Sequence, residues 1–456
     1  MQNYTENKKQ GYSKKQGNGK GKSGAAVKTG RFEEKQDRAR GDRGQKAAEQ
    51  QSSAEKSGIK NGRKSGEIFP GKQKNQFPCT HFRKCGGCKY LDMTYDQQLA
   101  VKRRQIRDLM EKHCKVKPVM GMEDPYHYRH KVHAVFGMDK KKNPISGVYE
   151  EKSHRVLPVE TCLIENEKAD AIIGTIRGML KSFKIKVYDE DTGYGLMRYV
   201  LIRKACFTEE IMVVLVTASN IFPSKRNFVD ALRKVHPEIT TVVHNVNTRT
   251  DSMILGDKFQ TLYGKGYIVD ELCGFKFKIS PASFYQVNPV QAAKLYEKAI
   301  ELAGLTGTET VVDAYCGTGT IGIIASKAAG KVIGVESNPE AVRDAVSNAK
   351  ANNVKNIRFY RDDAGHFLQS CAADGVPVDV VLMDPPRAGS SEEFLNALAQ
   401  LAPKKVIYVS CNPMTMERDV SVLEKKGYQA EEVWGVDMFP WTGSVEAVCL
   451  LPRKAQ

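Results

Sequence analysis

From residue 290 onward the chain interleaves strand-like and helix-like segments, and no other feature of its 456 residues restricts the fold so tightly. The β-branched runs TVVDAYC, KVIGVES, NIRFYRDD, DVVLMDPPR and KKVIYVSCNP are interleaved with TIGIIASKAA, PEAVRDAVSNAKANN and SEEFLNALAQL, whose apolar residues recur at helical spacing. Strands joined by crossover helices run parallel, so the segment predicts a doubly wound α/β sheet. Within it, DAYCGTGTIG (Asp313–Gly322) closes a strand, opens a helix and contains G-x-G-x-x-G. Glu336 ends the next strand, where an acid can hold ribose hydroxyls. Two cofactor classes fit such a loop, a dinucleotide and S-adenosylmethionine. The plain alternative is a domain whose glycines only let helix and strand pack closely; the agreement of strand, loop, helix and acid argues against it.

Ligands of such sheets bind beyond the carboxyl ends of the strands. Two strands end in MDPPR (Met383–Arg387) and VSCNP (Val409–Pro413), so Asp384 and Cys411 are expected to face one crevice, in loops stiffened by Pro385 and Pro413. A cysteine is more often a small buried hydrophobe; a strand tip over a cofactor pocket favours a reactive one. A thiol beside a methyl donor makes chemical sense if the acceptor is C5 of a uracil. That carbon is a poor nucleophile until a thiolate adds to C6 and turns C5 into an enolate carbon. After methyl transfer a base must remove the C5 proton so that the thiolate can leave. The chemistry therefore needs one cysteine and one general base. The late strand-like segment MFPWTGSVEAV supplies an acid, Glu446.

SFYQVNP (Ser283–Pro289), DAYCGTGTIG, GVESNPEAV, MDPPRAG, YVSCNP and DMFP…VE resemble, in order and spacing, the RNA 5-methyluridine methyltransferases, and among them the 23S rRNA (uracil-5-)-methyltransferases with an iron–sulfur cluster. The resemblance covers roughly residues 77–456. It implies a Rossmann-like, class I methyltransferase domain over 273–456, with Cys411 as nucleophile and Glu446 as base. It also implies donor contacts from Gln286, Tyr315, Glu336 and Asp384, with Thr320 and Asp363 as further candidates for the same pocket. Two positions depart from the family pattern: Trp441 and Ser444 stand where a histidine is usual. The β-barrel RNA-binding module that the family often carries at its N-terminus is expected to be absent.

CTHFRKCGGC (Cys79–Cys88) places three cysteines at C-x5-C-x2-C, a spacing open to zinc and to an iron–sulfur cluster alike. No apolar leader opens the chain, and no run approaches the ~20 apolar residues of a membrane span. A reducing cytoplasm is therefore expected, which disfavours disulfides among the 11 cysteines. The family resemblance supplies Cys162 as a fourth ligand and points to a [4Fe–4S] cluster on Cys79, Cys85, Cys88 and Cys162, with zinc as the runner-up. It also favours ribosomal RNA, because the tRNA-modifying relatives generally lack this cysteine set.

The formal net charge is +17; residues 1–75 hold 19 Lys and Arg against 8 Asp and Glu, so +11 of it lies there. That stretch, rich in Gly, Ser, Gln and Lys, is too polar to offset ordering entropy and reads as a disordered basic tail. A polyanionic partner is expected, most simply RNA. Residues 76–93 form the cysteine loop. Residues 94–272 form an α+β central domain opened by a basic amphipathic helix over 94–113, expected to pack on the catalytic domain. In that domain YHYRHKVH (Tyr126–His133) interleaves aromatic and basic residues, as single-stranded RNA binding requires. A monomer is expected. A tRNA uridine methyltransferase, a non-catalytic RNA-binding iron–sulfur protein and an NAD-dependent oxidoreductase are the competing readings. The last leaves D-P-P-R and S-C-N-P unexplained.

Overall fold

The computed structural model of the protein describes residues 79–150 and 153–455, so the basic tail expected over 1–75 lies outside it. After the cysteine loop, Thr94 opens α1 (Tyr95–Met110) with a capping box: its hydroxyl accepts the Gln97 N–H, and the Gln97 side chain accepts the Thr94 N–H. Two donors that a helix start leaves unpaired are thereby satisfied. β1 (Lys115–Met120) follows.

The central sheet is built from β2 (Lys131–Met138), β3 (Pro144–Tyr149), β4 (Val156–Pro158), α2 (Glu167–Ser182), β5 (Met197–Lys204), β6 (Ile211–Thr217), α3 (Lys225–Val235), β7 (Ile239–Val246) and β8 (Lys258–Tyr263). Its strands lie in the order β4-β3-β2-β5-β6-β7-β8. All pairs are antiparallel except β6–β7, which α3 connects. β5 and β6 are buried along their whole lengths; β6, IMVVLVT, is the nearly continuous apolar run expected of a strand covered on both faces. α2 and α3 cover one face with Ile172, Ile176, Phe228 and Leu232. A hairpin, β9 (Ile268–Leu272) and β10 (Phe275–Ile279), sets Ile268 and Ile279 against the other.

The C-terminal part runs α4 (Pro289–Ala303), β11 (Thr310–Ala314), α5 (Thr320–Ala325), β12 (Lys331–Glu336), α6 (Pro339–Ala351), β13 (Ile357–Arg361), α7 (Ala364–Ala373), β14 (Val380–Met383), α8 (Glu392–Leu401), β15 (Lys405–Ser410), α9 (Pro413–Lys425), β16 (Glu432–Val436) and β17 (Glu446–Pro452). The expected doubly wound sheet is present, in the order β1-β16-β17-β15-β14-β11-β12-β13. β11 to β15 are parallel, and β17 runs antiparallel between β15 and β16. Strand order reverses between β11 and β14, which opens a crevice beyond their carboxyl ends.

α1 and β1 precede the central sheet in the chain, yet both join the C-terminal one. Ile106 and Met110 of α1 are buried with Val312, Val406 and Val433. β1 is an edge strand on β16, and its pairing skips from Val116 to Val119. Pro118 lies in that gap; it has no N–H for the ladder and suits an edge or a bulge.

Candidate active site

The crevice is a cavity of about 380 Å3. Tyr315 and Thr320 reach it from the turn between β11 and α5, Asp384 and Arg387 from the loop after β14, and Cys411 from the loop after β15. Glu446 enters from the start of β17 and Gln286 from the segment ahead of α4. Glu336 and Asp363 lie outside its lining. Glu336, ending β12, accepts the Gly317 N–H at 3.1 Å and the Asn338 N–H at 2.7 Å, so it holds the glycine loop from behind. Asp363 is the N-cap of α7, accepting from Gly365 and His366 at 2.8 and 3.1 Å.

The glycine loop is tightly determined. Gly319 has φ 80°, and a Cβ there would stand 2.8 Å from the Phe359 ring. Tyr315, not a glycine, also sits in the left-handed region at φ 62°. Such a residue costs on the order of 1–3 kcal/mol and persists only where its surroundings impose it. Asn348 of α6 is part of that imposition: its amide donates to the Thr318 carbonyl at 3.1 Å and accepts the Lys278 N–H of β10 at 3.0 Å.

Cys411 and Glu446 are brought together by sheet register. β15 and β17 pair up to Ser410 opposite Ala447, so Cys411 follows the last residue of β15 at the end of the ladder where Glu446 begins β17, and both line the cavity. The turn after Ser410 is fixed locally. The Ser410 hydroxyl accepts the Asn412 N–H at 3.0 Å, Asn412 Oδ1 caps α9 through the Met414 N–H at 3.2 Å, and the Asn412 amide donates to the Arg387 carbonyl at 3.1 Å. That last bond ties the two strand-end loops to each other.

The cavity disfavours negative charge. Burial pushes the Asp384 carboxyl up to about 7. Burial, then the neighbouring Asp384, pushes Glu446 up to about 8, with Arg387 drawing it back. The Cys411 thiol is raised by burial and by both carboxylates, again opposed by Arg387. Two carboxyls that titrate near neutrality beside a thiol are suited to moving protons, and a cation bound between them would be stabilised by their ionised forms. The sequence reading gave no role to Arg387, although it stands in the D-P-P-R motif. It also passed over Tyr296, whose buried hydroxyl accepts from Gln286 Nε2 at 3.3 Å; nothing in AAKLYEKAI sets that tyrosine apart from a core residue.

The four cysteines Cys79, Cys85, Cys88 and Cys162 line a second cavity, of about 130 Å3, several times the roughly 30 Å3 share of one water molecule. Arg129 and Arg177 line it too. Burial, then Cys162, Cys85 and Cys79, push the Cys88 thiol up to about 12. Cys162 is held by its N–H, which donates to Asp170 Oδ2 at 2.8 Å. Among the described residues, no three His, Cys, Asp or Glu side chains converge to hold a metal ion as they stand.

Comparison with known proteins places this arrangement. A profile of the family described as tRNA (uracil-5-)-methyltransferase matches residues 94–454. The chain belongs to that family. Relatives include an uncharacterised RNA methyltransferase of Halalkalibacterium halodurans, 42% identical over 382 residues and 83% of each chain. One of Clostridium tetani is 40% identical over 388 residues and 84% of each chain. Among solved structures, the Pyrococcus abyssi tRNA (uracil-54, C5)-methyltransferase in complex with S-adenosyl-L-homocysteine superposes with a TM-score of 0.68. It is 29% identical, over 80% of this chain and 85% of that one. The family match runs from α1 to β17 and therefore takes in the whole 380 Å3 cavity and Cys162, but begins after Cys79, Cys85 and Cys88. Among the described residues no helix is long and apolar enough to cross a membrane.

Proposed function

We propose that this family member transfers a methyl group from S-adenosylmethionine to C5 of a uridine in RNA, through a covalent adduct between Cys411 and uracil C6. The observation that carries the proposal is that Cys411 and Glu446, adjoining the paired ends of β15 and β17, line one cavity together. The Cys411 thiolate adds to C6, and the C5–C6 π electrons pass to C5 and the C4 carbonyl. C5 then takes the methyl group, the carbon–sulfur bond of the sulfonium breaks, and S-adenosylhomocysteine forms. Glu446 removes the C5 proton, the double bond reforms and the thiolate leaves. Gln286, Tyr315, Thr320 and Asp384 line the donor's side of the cavity. Glu336 and Asp363, outside that lining, serve the donor by fixing the glycine loop and α7. A uracil must leave its stack to reach Cys411.

The RNA we assign is 23S ribosomal RNA, acted on by a monomer in the cytoplasm. Cys79, Cys85, Cys88 and Cys162 support that choice and would hold a [4Fe–4S] cluster through their thiolates. When bound, the cluster supplies structural cross-linking of two loops. A tRNA uridine is the second reading, favoured by the likeness to the Pyrococcus abyssi enzyme. Mass-spectrometric mapping of RNA from cells lacking the protein tests both. Loss of a 5-methyluridine from 23S rRNA is expected; loss from tRNA alone would establish the second reading, and no loss from either would overturn both.

A further inference from the structure

The segment between β16 and β17 carries Phe439 and Ser444 of the catalytic cavity and ends on Glu446. It has no regular structure, yet each carbonyl from Asp437 to Trp441 is taken. Gln291 Nε2 donates to Asp437 at 3.1 Å, Asn288 Nδ2 to Met438 at 3.1 Å, Lys102 Nζ to Phe439 at 2.9 Å and the Tyr128 hydroxyl to Pro440 at 2.9 Å. The fifth, on Trp441, accepts two N–H groups of the cysteine loop, Lys89 at 2.7 Å and Tyr90 at 3.0 Å. Trp441 is buried and does more than this. Its N–H donates to Gln98 of α1 at 2.7 Å, its indole N–H donates to the Pro125 carbonyl at 3.0 Å, and its ring stacks on Tyr126 at 5.4 Å. It shares an apolar cluster with Phe82, Leu91, Tyr128 and Ile164, against which Cys79, Cys88 and Cys162 pack. One residue thus joins the cysteine loop, α1 and the Tyr126 strand-like segment to the backbone five residues ahead of the base.

We propose that Trp441 is a positioning residue: it locks the cysteine loop to the segment that carries Glu446, so that the base is in place only while that loop is folded. Six donors from four parts of the chain over-determine the segment, and the only part among them that contributes loop backbone is the cysteine loop. Loosening that link leaves Cys411 untouched, because Cys411 is held by Ser410, Asn412 and Arg387 on the other side of the cavity. The expected defect is therefore confined to the step Glu446 performs. Addition of Cys411 to C6 and methyl transfer proceed, and elimination slows. This rests on the covalent route proposed above.

The experiment compares Trp441→Phe, Trp441→Ala and Tyr126→Ala with the unaltered full-length protein on its RNA with labelled S-adenosylmethionine. Methylated RNA released and methylated RNA still bound to protein under denaturing electrophoresis are both measured. Trp441→Ala is expected to lower product release on the order of 10²-fold, the effect of an ångström-scale misplacement, with bound methylated RNA accumulating and the KM for the donor unchanged. Trp441→Phe keeps the stacking and the main-chain bonds and should be restored most of the way. Tyr126→Ala, at a partly exposed position (37% exposed), should show the same partition in weaker form without a folding defect. Equal loss of adduct and product in all three variants, or a raised donor KM with normal release, would overturn the proposal. A protein that forms no RNA adduct even unaltered would instead strike at the covalent route, which keeps the two failures distinct.

Discussion

The two cavities are built by opposite means. The catalytic one, at 380 Å3, lies where β11, β14 and β15 end and β17 begins; Tyr315, Asp384 and Cys411 each stand one position past a strand, and Glu446 is the first residue of β17. The cysteine one, at 130 Å3, is closed by a loop and by Cys162, with no strand end aiming any of its four thiols. A strand end fixes position through the sheet ladder, whereas a loop site depends on what fills it and what it packs against. The catalytic cavity is expected to keep its shape without ligand. The cysteine cavity, where burial and neighbouring thiols hold Cys88 up at about 12, is expected to need a cation.

The largest effect separates the two at once. Cys411→Ala should abolish both methyl transfer and covalent capture of RNA, since removal of a nucleophile is not compensated by the rest of a site. Iron content should be unchanged. Residual methylation at a measurable rate would break the assignment of the catalytic cavity. Next, anaerobically purified protein should be brown and carry about four irons per chain, and Cys88→Ser should lose them while S-adenosylhomocysteine still binds. Stoichiometric zinc in colourless protein would contradict the cluster, and loss of donor binding would show that the two cavities are not separable.

Between the cavities runs a buried ion pair. Lys102 of α1 donates to Asp437 at 2.5 Å; both side chains are fully buried, and Tyr95 and Gln98 donate to the same carboxylate at 2.9 and 2.7 Å. Burial alone would drive both groups neutral, Lys102 downward and Asp437 upward, and their contact opposes it. Lys102→Met leaves an unpaired buried carboxylate and should cost about 3–5 kcal/mol, read as a lowered midpoint of chemical denaturation. A change well under 1 kcal/mol would mean that the Lys102–Asp437 pair does not hold α1 to the segment after β16.

A smaller effect is the pH dependence. Glu446 must be ionised to accept the C5 proton, and its raised value of about 8, beside Asp384 at about 7, means that the ionised fraction grows as pH rises through that window. The acid limb of kcat, which includes the elimination step, should therefore lie near pH 8, with turnover lost about tenfold per unit below it. A limb near the ordinary carboxylate value of roughly 4.3 would show that the cavity does not hold these groups as described.

Much of the catalytic cavity was legible because its residues are local to strand ends. D-P-P-R and S-C-N-P each announce a strand, a turn and a reactive group within a few residues. What was not legible depends on long-range pairing. The meeting of Cys411 and Glu446 requires β17 to insert antiparallel between β15 and β16, which no spacing in the sequence encodes. β1 reads as part of the central region because its partner, β16, lies more than three hundred residues away. Glu336 and Asp363 stand at strand ends as read, and the hydrogen bonds by which they also fix the glycine loop and cap α7 are not reported by the sequence. The role of Trp441 was hidden for the same reason, since its six bonding and stacking partners are spread from residue 89 to residue 126.

The division of labour between the two facing residues is decided by Glu446→Gln incubated with RNA and methyl-labelled S-adenosylmethionine. Cys411 should still attack and the methyl group should still be transferred, but the C5 proton should remain, so the thiolate cannot leave. The expected result is labelled RNA that migrates with the protein under denaturing conditions and disappears when Cys411→Ala is added to the same chain. Freely migrating RNA, methylated at the rate of the unaltered protein, would contradict the assignment of Glu446 as the base.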